Sequence, residues 1–170
     1  MALRPVEGRV FLDLMTYLAR ATPDQWHQVA WNWNWDAGTA PLRWIIRQPN
    51  CDRGTALLVY WYGGPRFLAQ YETRDEVPEF ALEHYDLTME IERAYLAGAY
   101  TRQEIAFDPR ADRKSPRMPF DWTAEYANLP NHRPIPDLMY LATPGREVEC
   151  DRSFDDGFPP GVSPDVSPDE

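Results

Sequence analysis

Asn50-Cys51-Asp52 sets a thiol beside the start of a helix that Asp52 is suited to cap. A helix N-terminus stabilises a thiolate, so Cys51 is the residue best placed for nucleophilic chemistry. It has no general base beside it in the sequence. A small buried residue between two helices accounts for it more simply, because free cysteine is among the most buried residue types. The carboxylates Glu83 and Glu90 offer a second chemistry, acid–base work in a cleft. However, Glu72, Asp75, Glu76 and Glu79 gather near a helix start, and Glu83, Asp86, Glu90 and Glu92 run along it at the spacing of a solvated face. The histidines His27, His84 and His132 show no metal-ligand spacing. His84 beside Glu83 reads as a packing residue, since one histidine without a positioned partner defines no mechanism. Gly63-Gly64-Pro65-Arg66 is glycine-rich, but Pro65 removes an amide that a phosphate loop needs. No Gly-x-Ser-x-Gly occurs. No catalytic residue, metal or cofactor is therefore assigned.

The elements that must carry these residues follow from periodicity and turn chemistry. Val10, Phe11, Leu12, Leu14, Met15 and Leu18 are apolar at helical spacing. Thr22-Pro23-Asp24-Gln25 opens a second helix, with Thr22 as cap and Pro23 in the first turn. A short helix follows Pro41. The apolar, partly β-type run 56–62 admits a strand, but Asp52 as a cap in front and Gly63-Gly64-Pro65 as a stop behind favour a helix over 55–62. The longest helix is expected over Glu79–Tyr100. Its stripe is Phe80, His84, Leu87, Ile91, Ala94, Tyr95 and Gly98, widened by Leu82, Tyr85 and Met89. Residues 107–120 read as an exposed, mildly basic connector. The prolines of 121–146 imply extended wrapping against the body. The fold class is mostly α, a compact helical bundle or stacked helical hairpins with an extended Pro-rich C-terminal segment. Residues 1–146 form one domain, and 147–170 an acidic Pro-rich tail.

A chain of 170 residues with 44% hydrophobic and 14% aromatic content can build a real core. Its net charge of −10 is uneven. Eight acids and one base in 147–170 give the tail −7, leaving −3 for residues 1–146. There is no basic stripe for nucleic acid, and the acidic tail opposes such binding. No apolar run is long enough to span a membrane or to serve as a signal peptide. The two cysteines, Cys51 and Cys150, fit no redox or zinc motif, so a cytoplasmic location with reduced thiols is expected. Phe154 and Phe158 can dock the start of the tail. The Val-Ser-Pro-Asp repeat in 162–170 has the composition of a disordered end.

Residues 31–36, Trp31-Asn32-Trp33-Asn34-Trp35-Asp36, place three indoles in five positions. Trp35 and Trp44, with Trp61 on the next helix, are expected to form a structural plug. Trp31 and Trp33 are expected to stay exposed, because alternation cannot bury every ring in so short a turn. Asp36 is expected to cap or to accept an indole N–H. Asn32-Trp33-Asn34-Trp35-Asp36-Ala37-Gly38, then Pro41-Leu42-x-Trp44-Ile45-Ile46, then Pro49-x-Cys51-Asp52-x-Gly54-Thr55-Ala56-Leu57-Leu58-x-Tyr60-Trp61 resembles the bacterial family known as domain of unknown function 4274. The resemblance covers about residues 20–70 and implies no agreed activity. Small acidic members of such families often look like toxin-immunity proteins, an association rather than a physical warrant.

The expected function is a non-catalytic binding protein, an immunity protein that neutralises a bacterial toxin by direct binding. An acidic inhibitor suits a basic target such as a nuclease. The expected partner surface is Trp31, Trp33, Asp36, Glu83, Asp86, Glu90, Asp155 and Asp156. The rival readings are a small enzyme using Cys51 or a carboxylate pair, and a helical scaffold or regulatory subunit.

Overall fold

The computed structural model describes residues 8–114 and 119–162. Six α-helices make the framework: α1 (Gly8–Arg20), α2 (Pro23–Asn32), α3 (Ala40–Ile46), α4 (Arg53–Tyr62), α5 (Pro65–Leu68) and α6 (Leu82–Leu96). Among the described residues there is no strand, only isolated bridges such as Ile105 with Arg146. The fold is mostly α, as the periodicity predicts, with an extended C-terminal segment laid over the helices.

Local chemistry explains the helix starts. At α2 the Gln25 amide donates to Thr22 Oγ1 at 3.3 Å while Gln25 Oε1 accepts from the Thr22 amide at 2.8 Å. This reciprocal pair satisfies two otherwise orphaned donors. At α4 the Asp52 carboxylate accepts from the Gly54 amide at 2.9 Å. Asp52 also accepts from the Glu104 and Ile105 amides at 2.8 and 3.3 Å. One cap therefore fastens α4 to the segment after α6. Gly54 makes that approach feasible, because a Cβ there would lie 2.2 Å from the Ile105 carbonyl oxygen.

α6 is shorter than the expected 79–100 helix. A 3-10 turn, Glu79–Ala81, leads into it. Gly98 ends it in the left-handed region, with its amide bonded to Tyr95 O and the Ala99 amide bonded to Ala94 O. This paired C-terminal closure stops propagation before Tyr100. Phe80 sits in the 3-10 turn rather than on the α-helical stripe, and it is 78% exposed. After Gly63-Gly64 the chain makes one further helical turn, α5, which the stop signal conceals.

α4 packs on both α2 and α6. The main core is not purely helical: Phe107, Ile135, Met139, Phe154 and Phe158 join Leu14, Leu18, Val29, Leu57 and Ile91. A smaller cluster joins Leu68, Val77, Ala81, Tyr85 and Met89. The 107–120 connector differs from expectation, since Phe107 and Asp112 are buried. Ser115, Pro116 and Arg117 lie outside the described residues, as do 163–170 with most of the Val-Ser-Pro-Asp repeat. Phe154 and Phe158 dock into the core, so residues 148–158 lie against the body. No helix of the described residues is long and apolar enough to cross a membrane.

Candidate functional site

The tryptophan run is arranged almost opposite to expectation. Trp31 and Trp33, expected to be exposed, are 5% and 4% exposed. α2 continues to Asn32, so Trp31 remains on its buried face and turn alternation does not apply to it. Its indole Nε1 donates to Asp112 Oδ1 at 3.1 Å. Trp33 leaves the helix and is covered from far along the chain by Phe158, with ring centroids 5.3 Å apart. Gly157 lies against the same indole, where a Cβ would approach to 2.6 Å. Trp33 Nε1 donates to Gly38 O at 2.8 Å.

The expected plug is three separate contacts. Trp35 meets His84 edge-on at 5.0 Å, Trp44 meets Trp26 at 5.6 Å, and Trp61 meets Tyr140 at 5.2 Å. Trp61 is fully buried, and its Nε1 donates to Met139 O at 2.8 Å. Trp35 and Trp44 are half-buried. Asp36 is exposed and its side chain does not cap. Asn34 caps instead, its Oδ1 accepting from the Asp36 amide at 3.0 Å.

Cys51 is 1% exposed, and its thiol contacts the Asp52 carbonyl oxygen at 3.6 Å. Burial and then the neighbouring Asp52 charge push the thiol pKa up. The expected help from the helix N-terminus is overridden, and the partly exposed thiol that nucleophilic use requires is not found. His27 is equally enclosed. Its Nδ1 lies 2.8 Å from Thr55 Oγ1, and burial lowers its pKa from 6.5 to about 4.

The α6 carboxylates are not a free solvated face. Glu83 accepts from Thr39 N and Thr39 Oγ1 at 2.7 and 2.6 Å. Burial raises its pKa, but those two bonds bring it below the ordinary value. Asp86 pairs with Arg74 at 2.7 Å, and Glu90 with Arg47 at 2.6 Å. Glu92 is 4% exposed and accepts from Tyr60 OH at 2.7 Å and Arg133 Nη2 at 2.5 Å. Glu83 and Glu90 each serve a separate structural contact rather than sharing a cleft. Among the described residues no group of three or more His, Cys, Asp or Glu is placed to hold a metal.

Several expected partner residues do gather. Asn34 links Asp36 to Asp156, since its backbone N–H donates to Asp156 O at 3.1 Å and its Nδ2 donates to Asp156 Oδ2 at 3.4 Å. Asp36 is close enough to His84 to act on its charge, and Glu83 binds the same turn through Thr39. Asp155 is the exposed neighbour of Asp156. Phe80 projects one turn ahead of His84. Asp36, Asp155, Asp156 and Glu79 are all exposed. Asp86 and Glu90 lie further along α6, already paired.

A second feature was not legible in the sequence. Asp112, 3% exposed, accepts from Trp31 Nε1, Trp122 Nε1, the Lys114 amide and Tyr62 OH. The Trp122 and Lys114 bonds are 2.9 and 3.1 Å. Above it opens a groove of about 530 Å³, lined by Tyr62, Phe120, Trp122, Lys114, Cys150 and Arg152 together with Asn32 and Asp112 itself. The only sequence signals were the polar break at Asp112 and the aromatic pair Phe120 and Trp122.

Residues 21–96 match the family model described as Domain of unknown function (DUF4274). The similarity is confined to that segment, which runs from the start of α2 to the end of α6. Neither a curated protein nor a solved structure matches the chain. The DUF4274 match begins one residue before the Thr22 cap and ends with the last residue of α6. It extends beyond the 20–70 stretch that the tryptophan and Cys-Asp motifs mark. The matched segment supplies Trp31, Trp61 and Asp52; the two indoles donate to acceptors outside it, at Asp112 and Met139, and Asp52, besides capping at Gly54, accepts from the Glu104 and Ile105 amides outside it.

Proposed function

We propose that the protein is a non-catalytic binding protein whose partner is a basic protein, and that this binding neutralises a bacterial toxin such as a nuclease. The observation that carries the proposal is the set of exposed carboxylates at the 34–39 turn, Asp36 with Asp156 and its neighbour Asp155, together with the exposed Phe80 in the 3-10 turn that leads into α6. An exposed aromatic ring can anchor in a partner's pocket, while exposed carboxylates steer a basic partner toward the molecule. The net charge of −10 adds a long-range field of the same sign. The inward-facing carboxylates Glu83, Glu90 and Glu92 already have structural partners, which leaves the outer ones for recognition.

The test is co-expression with the product of the adjacent gene. The proposal expects that product to arrest growth alone and growth to return when this protein is present. Phe80→Ala and a double reversal of Asp36 and Asp156 to Lys should each abolish rescue without unfolding the protein. A neighbour that is harmless alone, or that stays toxic beside this protein, overturns the reading.

A further inference from the structure

The groove above Asp112 shares no lining residue with the acidic turn and carries two cations. Its walls are aromatic: Tyr62 and Trp122 lie with centroids 4.5 Å apart, and Phe120 meets Trp122 edge-on at 4.7 Å. Its cations are Lys114 and Arg152, both exposed. Among the described residues neither makes an ion pair, although the chain as a whole carries −10. Lys114 Nζ stands 5.9 Å from the centre of the Tyr62 ring, so charge and aromatic wall adjoin. We propose that this groove binds a small planar anion, an aromatic ring carrying a carboxylate or phosphate, with the ring against Trp122 and Phe120 and the anion between Lys114 and Arg152.

Three features support the assignment. The volume of about 530 Å³ is that of a small-molecule site. The walls are held before any ligand arrives, because Asp112 fixes both Trp122 Nε1 and Tyr62 OH through the same carboxylate. Binding to such a wall costs little ordering. The Asp112 oxygens are occupied by four donors, so the carboxylate does not compete with the ligand's anion for Lys114 or Arg152 through a direct ion pair.

Cys150 lines the groove half-buried, with its thiol 3.5 Å from Asn32 Oδ1, and so reports on occupancy. The full chain is treated with iodoacetamide, a neutral reagent, and alkylation of Cys150 is followed by mass spectrometry with buried Cys51 as the internal reference. Indole-3-acetate and adenosine monophosphate serve as ring-bearing anions, indole and adenosine as rings alone, and inorganic phosphate as an anion alone. At least one ring-bearing anion should slow Cys150 alkylation about tenfold or more at saturation, with Cys51 unchanged. Its uncharged counterpart and phosphate should need at least tenfold higher concentration. Lys114→Glu and Arg152→Glu should each weaken the protection about tenfold while circular dichroism stays that of the wild type. Absence of protection at millimolar probe overturns the proposal. So does equal protection by indole or adenosine, which makes the groove merely apolar, or by phosphate alone, which makes it an anion site without ring recognition.

Discussion

The helical half of the molecule, residues 8–96, and the irregular half, 97–162, contribute to one core by different means. The first half brings regular faces: Leu14, Leu18, Val29, Leu57 and Ile91 are all buried on helices. The second half has almost no regular structure, yet it brings the acceptors. Asp112 takes the Trp31 indole, Met139 O takes the Trp61 indole, and Glu149 O takes the Gln28 amide at 2.6 Å. Helices satisfy their own backbones but not the polar tips of large side chains that they bury. The comparison teaches that the irregular half is a polar complement to the helical half, more than a covering for it.

The strongest test of that division is Asp112→Ala. It leaves the buried Trp31 N–H without an acceptor and frees Trp122 and Tyr62, so urea denaturation should show a loss of about 4 kcal/mol. A change below about 1 kcal/mol would mean that water replaces the carboxylate and that the halves are less dependent than the geometry requires.

His27 tests the helical half by itself. Burial lowers its pKa from 6.5 to about 4, while the unfolded chain titrates at the ordinary value. Between those values the unfolded state holds more protons, so stability is complete above the unfolded pKa and falls on acidification through the interval. The loss by the bottom of that window is about 3 kcal/mol, read as a shift of the urea midpoint with pH. His27→Gln should flatten this part of the profile. An unchanged profile would place the acid sensitivity elsewhere.

Gly54→Ala tests the seam between the halves at α4. The added methyl meets the Ile105 carbonyl and must push the segments apart, at a cost of about 2 kcal/mol in thermal or urea unfolding. The smallest effect is expected at Phe80. Because it is 78% exposed, Phe80→Ala should change stability by no more than about 0.5 kcal/mol, while it weakens any partner contact. A large destabilisation there would make Phe80 a packing residue and remove it from the recognition face.

Legibility in the sequence follows the same division. Thr22, Pro23 and Asp52 announced their helices because capping is local chemistry. The helix over 55–62 and the docking of Phe154 and Phe158 were likewise readable from type and spacing. The burial of Trp31 and Trp33 was not, because their covers lie far along the chain, at Asp112 and Phe158. Glu92 looked solvated for the same reason: Arg133, which meets it, is 41 residues away. The exposure of Asp36, Asp155 and Asp156 follows from residue type, whereas the Asp112 groove depends on a fold of the connector that no periodicity encodes. Helix ends also escaped where competing turn geometry decided them, as at Gly98 and in the 3-10 turn that carries Phe80.

The contact between Asn34 and Asp156 spans 122 positions. A chain is made from its N-terminus, so the tryptophan turn exists long before the residues that cover it. Until Phe154–Phe158 have been synthesised, Trp33 has no lid, and the nascent helices present an open indole surface. Final closure therefore belongs to a late step of biogenesis, and contacts of such long range slow folding. A chaperone that recognises aromatic surface would have its opportunity in that interval.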